Sequence, residues 1–109
     1  MWFVFPQVRG LGHSPTAIYY GIQGIEEARA YHAHPVLGAR LRFCTTSVLL
    51  HRDKSANEIF GYLDDMKFSS SMTLFDAVDG TPDNVFATAL NLFYGDRRDE
   101  RTLALLRDE

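Results

Sequence analysis

The 109 residues carry 11 basic and 14 acidic side chains, a formal net charge of −3, and are 46% hydrophobic and 13% aromatic. That length admits one folded domain, the composition is too apolar for a disordered chain, and the acidic balance gives no global attraction to nucleic acid or anionic lipid. Cys44 is the single cysteine, which excludes an internal disulfide, and apolar runs such as Val48–Leu50 fall far short of the roughly 20 residues that cross a bilayer.

The chain opens on Trp2-Phe3-Val4-Phe5, which Pro6 cuts short. This run is the one strand candidate, because sustained period-two alternation occurs nowhere else. No charged segment, long apolar stretch and cleavage site precede it, so a cytoplasmic address is expected. Ser14-Pro15, His34-Pro35 and Thr81-Pro82 read as helix starts, since proline loses nothing at a first helical position, and Ser14 and Thr81 offer capping oxygens. Ile25 to Tyr31 is rich in helix formers, with Glu26 and Glu27 at the end that the macrodipole favours. From Pro35 to His51, Leu37, Leu41, Cys44 and Val48 step along one face, which predicts a helix with Cys44 turned to the core.

Ser55-x-x-Glu58 matches a capping box for a short helix that ends near Gly61. Asp64 is expected to cap a helix over Asp65–Val78, with Phe68, Met72 and Phe75 on its apolar stripe. A further helix is expected over Pro82–Tyr94, stopped by Gly95, and Asp99 is expected to cap a last one with Leu103 and Leu106 inward. The fold class is therefore all-α, a single compact domain of six or seven short helices spanning residues 1–109.

Two segments resemble a known family: Trp2 to Pro15, with the order Trp-Phe-Val-Phe-Pro-Gln-Val-Arg-Gly-Leu-Gly-His-Ser-Pro, and Asp64 to Phe75. Glu27 to Tyr31, His34 to Gly38, Glu58 to Gly61 and Asp99 to Leu106 fit as well, in the right order. The pattern is similar to the bacterial domain-of-unknown-function family eighteen-ten. The resemblance implies a small, mostly helical bacterial domain and brings no activity with it. It further implies that a helical stretch usual before the Trp-x-Phe motif is missing here, leaving Trp2, Phe3 and Phe5 incompletely covered, and that Ser69 stands where a basic residue is usual.

Two stretches carry candidate chemistry. Gly10-Leu11-Gly12-His13-Ser14-Pro15 leads into a helix, where backbone N–H groups approach an anion and Arg9 adds charge. A structural turn would need the same glycines, and neither the third glycine of a dinucleotide fingerprint nor a Gly-Lys-Ser/Thr phosphate loop is present. Ser69-Ser70-Ser71 lowers helix propensity by ~1–1.5 kcal/mol relative to alanine, so something compensates. Either Lys67, Ser70 and Ser71 line a polar pocket, or the serines bond back to preceding carbonyls and let a neighbouring helix approach. His32-x-His34 has the wrong offset for two ligands on one helix face, so no metal site is expected. The mixed-sign run Arg97 to Arg101 reads as a solvated connector.

The function expected is that of a non-catalytic module binding a small anionic ligand or a protein partner. Its ligand-binding candidates are Gln7, Arg9, Gly10, Gly12, Ser14, Lys67, Ser70 and Ser71, without cofactor or metal. One alternative is a hydrolase acting on a nucleotide or ADP-ribose-like group, with Asp65 as base and Lys67 as electrostatic stabiliser. The other is an assembly protein that uses Trp2, Phe3 and Phe5. Nucleic acid and membrane are not expected partners. Whether the Gln7–Gly12 loop and the Lys67–Ser71 face share one cleft discriminates best among these readings.

Overall fold

A computed structural model describes residues 4–11 and 14–107. Their seven helices are α1 (Pro15–Tyr20), α2 (Ile25–Ala33), α3 (Leu37–Leu49), α4 (Ala56–Phe60), α5 (Tyr62–Asp79), α6 (Val85–Tyr94) and α7 (Glu100–Arg107). The fold is all-α, and its radius of gyration of 12.8 Å is close to the ~13 Å of a single compact domain of this length.

Several helix ends form as the sequence predicts. Pro15 opens α1. The Ser55 hydroxyl accepts from the Glu58 N–H while the Glu58 carboxylate accepts from the Ser55 N–H, completing the capping box of α4. Asp99 Oδ2 accepts from the N–H of Thr102 at the head of α7. Other ends differ. The helix expected from Pro82 starts at Val85, because Asp83 adopts a positive φ of 57° and Asn84, not Thr81, supplies the capping oxygen to the Ala87 N–H. The helix expected from Asp65 starts at Tyr62, directly after Gly61.

His34 caps a helix: its Nδ1 accepts from the N–H groups of Val36 and Leu37, two donors that an uncapped start of α3 would leave orphaned. At Gly38 a Cβ would stand 2.0 Å from the His32 carbonyl oxygen, so α2 and α3 approach as closely as they do only because that position has no side chain.

The long α5 is the axis of the molecule and packs against α2, α4, α6 and α7. Its run from Ser70 to Phe75 is buried almost all round, which a helix covered on several sides requires. Phe68, Phe75 and Phe86 are fully buried, each contributing ~1.5–3 kcal/mol through area removed from water. The Phe68 ring meets Phe5 and Phe60 at centroid separations of 5.0 and 4.8 Å, and the Phe75 ring meets Tyr31 and Phe86 at 5.6 and 5.8 Å. Phe5 is thus a core residue at 4% exposure, which corrects the expectation that it lies uncovered. Trp2, Phe3 and Gly12 lie outside the described residues. On α3, Leu41 and Thr45 are fully buried, while Cys44 is half-buried and packs against the edge of the core.

The expected strand does not form at Val4 and Phe5, which lie in a turn and bend. One isolated parallel bridge, Val8 with Ile22, does form. Through it the Arg9 N–H donates to Ile22 O at 2.6 Å and the Ile22 N–H donates to Gln7 O at 2.8 Å. These two bonds hold the N-terminal segment against the loop after α1 and fix where Gln7 stands.

Candidate functional site

A cleft of about 420 Å³ opens between the N-terminal segment, the first half of α5 and the start of α7, a size that suits a small molecule. Gln7 and Leu11 come from the N-terminal segment, Ser14 from the residue before α1, and Tyr94 from the end of α6. Helix α5 supplies Leu63, Asp65, Met66, Lys67, Ser69 and Ser70, and the start of α7 supplies Asp99 and Arg101. Leu63 and Met66 are exposed and give the wall an apolar portion.

Two carboxylates are held in it by the protein. The Tyr94 hydroxyl lies 2.6 Å from Asp65 Oδ1 and 2.8 Å from the Asp65 carbonyl oxygen, so its one proton is shared between two acceptors. Burial pushes the Tyr94 phenol strongly up, and the bond to Asp65 and the carboxylate charge push it further, so it remains a donor at any physiological pH. Asp99 is oriented from two helices. Its N–H donates to Thr73 Oγ1 at 2.9 Å, and its Oδ2 accepts from the Thr102 N–H, the Thr102 hydroxyl and the Ser70 hydroxyl.

Two cations face them. Lys67 lies 3.7 Å from Asp64 in an exposed i,i+3 pair, a contact that holds the ammonium only weakly. Arg101 donates from Nη2 to Leu11 O at 2.9 Å, which ties α7 to the N-terminal segment and leaves its other N–H groups without a protein acceptor among the described residues.

Of the residues expected at a site, Gln7, Ser14, Asp65, Lys67 and Ser70 share this cleft. Three others stand elsewhere. Arg9 is exposed and lies outside it. Gly10 serves the fold: its φ is +110°, and a Cβ there would lie 3.1 Å from the Leu105 side chain. Ser71 is fully buried inside the helix packing, with no hydrogen-bond partner for its hydroxyl among the described residues. It follows the small-residue reading of the serine run, while Ser70 does both jobs, reaching back to Met66 O at 3.1 Å and lining the cleft. Sequence reasoning missed Arg101, Tyr94 and Asp99 as site residues. Asp99 carried a signal, but as a cap; Arg101 was hidden in the charged run, and nothing about Tyr94 distinguished it from other aromatics.

That charged run is solvated only in part: Arg97, Glu100 and Arg101 are exposed and Asp99 is the expected cap, but Arg98 is half-buried. Arg98 donates to Asp76 Oδ2 from Nε and Nη2 and to Asp96 O from Nη1, at the edge of a second cleft.

Over residues 1–106 the sequence matches the family described as "Protein of unknown function (DUF1810)". The chain belongs to this family. Among solved structures it is similar to the crystal structure of the conserved hypothetical protein Rv1873 from Mycobacterium tuberculosis, with 50% sequence identity and a TM-score of 0.88 over 97% of this chain and 75% of that one. A search of curated proteins finds no match. At that identity and TM-score the two chains share the fold. Among the described residues, no helix is long and apolar enough to cross a membrane.

Proposed function

We propose that this DUF1810 protein is a non-catalytic cytoplasmic module that binds a small anionic ligand in the cleft between its N-terminal segment and α5. One observation carries the reading. Gln7 and Ser14 from one end of the chain and Lys67 and Ser70 from its middle line a single cavity, together with the further cation Arg101. An anion there meets two cationic side chains and the Gln7 amide, and charge-assisted hydrogen bonds are roughly twice as strong as neutral ones. The single cysteine, which leaves no internal disulfide to form, is what supports the cytoplasmic address.

Thermal denaturation with inorganic phosphate and simple phosphate esters tests this. A ligand at ~100 times its dissociation constant stabilises the fold by about 2.7 kcal/mol, a readily measured shift. Lys67→Ala is expected to abolish the shift while leaving the unliganded melting temperature nearly unchanged. A shift that survives replacement of both Lys67 and Arg101 by alanine would sink the reading.

A hydrolase remains the second reading because Asp65, oriented by Tyr94, lies in the same cleft as Lys67. It requires turnover of a nucleotide or related phosphate ester that Asp65→Asn removes. The assembly reading has lost Phe5 to the core.

A further inference from the structure

The cleft is not simply cationic. Lys67 and Arg101 are matched by Asp65 and Asp99, so its own charges cancel and a bare anion entering it meets two carboxylates as well as two cations. Each carboxylate is pinned by the protein through one oxygen only: Asp65 through Oδ1 to Tyr94, Asp99 through Oδ2 to Ser70 and Thr102. The second oxygen of each, Asp65 Oδ2 and Asp99 Oδ1, has no protein donor among the described residues. An ionised carboxylate offers acceptor sites on both oxygens and no donor, so these two atoms call for O–H or N–H groups from the occupant.

The pinning donors matter for the choice between them. Asp99 already accepts three hydrogen bonds, and Asp65 accepts a short bond from a phenol that does not ionise, so part of the negative charge of each is compensated in place. Neutral hydroxyl donors complete such carboxylates without requiring two further positive charges beside Lys67 and Arg101. Resting on the anion-binding reading above, we infer that the ligand is a phosphorylated polyol, such as a sugar phosphate. Its hydroxyls donate to Asp65 and Asp99, and its phosphoryl oxygens accept from Lys67 and Arg101. The apolar wall of Leu63 and Met66 receives the carbon skeleton or whatever group the sugar carries. Hydroxyl recognition of this kind is discriminating, because a ligand without hydroxyls leaves the charged acceptors desolvated and unpaired.

Calorimetric titration of the native protein with ribose 5-phosphate, propyl phosphate, inorganic phosphate and ribose tests this without relying on a variant that must fold. Ribose 5-phosphate is expected to bind about ten-fold or more tighter than propyl phosphate, and inorganic phosphate more weakly still. In Asp65→Asn, which keeps an acceptor for Tyr94, the preference for the sugar ester is expected to collapse to within about two-fold. Equal affinity for the two esters in the native protein overturns the inference and leaves anion binding standing. Failure of every phosphate compound to bind overturns the reading beneath it. Tighter binding of phosphoserine than of ribose 5-phosphate also overturns the inference, because the carboxylates then read an ammonium group and not hydroxyls.

Discussion

Helix α5 borders two clefts of similar size, about 420 and 470 Å³, and the two treat their charges in opposite ways. In the second, near its C-terminal end, the polar groups satisfy one another. Asp76 accepts from Arg98 on Oδ2 and from Asn84 on Oδ1, Arg98 also donates to Asp96 O, and Asn91 donates to Asp96 Oδ2. Both oxygens of Asp76 are taken. In the first, each carboxylate is engaged through one oxygen, and the cations are held by one exposed pair and one carbonyl. A network closed on itself supports the fold, whereas one with its acceptors and cations left open has capacity for a ligand. Each cleft is lined by two or more carboxylates and at least one cation, and it is the hydrogen-bond accounting that separates them.

The comparison has measurable consequences. Phe75→Ala removes a fully buried ring from the middle of α5, packed on Tyr31 and Phe86, and is expected to cost about 3–5 kcal/mol in urea denaturation. A loss below ~1 kcal/mol would mean that α5 is not the common support. Asp76→Ala removes the carboxylate that both Arg98 and Asn84 bond, leaving them Asp96 O and Thr81 O, and is expected to cost about 1–3 kcal/mol. If stability were unchanged, the second cleft would be as open as the first.

Acid should also reach the second cleft's end of α5. Burial pushes the Asp79 carboxyl up, but hydrogen bonds from Thr81 and from His32 at 2.9 Å outweigh it, and the net shift is downward. A carboxyl lowered in the folded state contributes stability that is fully present above its unfolded value of about 3.9 and is lost as pH falls through the lower folded value. The melting temperature of the native protein is therefore expected to fall more steeply below about pH 4 than that of Asp79→Asn. Parallel curves would remove Asp79 from the account. Smallest of all, Lys67→Ala is expected to leave unliganded stability within ~0.5 kcal/mol, since its one ion pair is exposed. A larger loss would make Lys67 part of a closed network like that of Asp76 and erase the contrast.

Local chemistry determined much of this protein in advance. Apolar residues at helical spacing and the caps at Ser55, Asp99 and Gly95 mark all-α elements, because capping and periodicity are contacts within a few residues of chain. Where a second segment intervenes, that legibility stops. Thr81 was as good a cap as Asn84 in sequence, but Asn84 also bonds Asp76 across the turn, and that contact spans two helices. Ser70 and Ser71 are adjacent and chemically identical, yet one faces the cleft and the other the core, a division set by where α6 and α7 pack on α5. In the sequence Arg9 is a candidate for the anion site and Arg101 is one charge in a mixed-sign run. The tertiary fold decided between them by turning Arg9 to solvent and bringing Arg101 from 90 residues away onto the Leu11 carbonyl, where its charge enters the cleft.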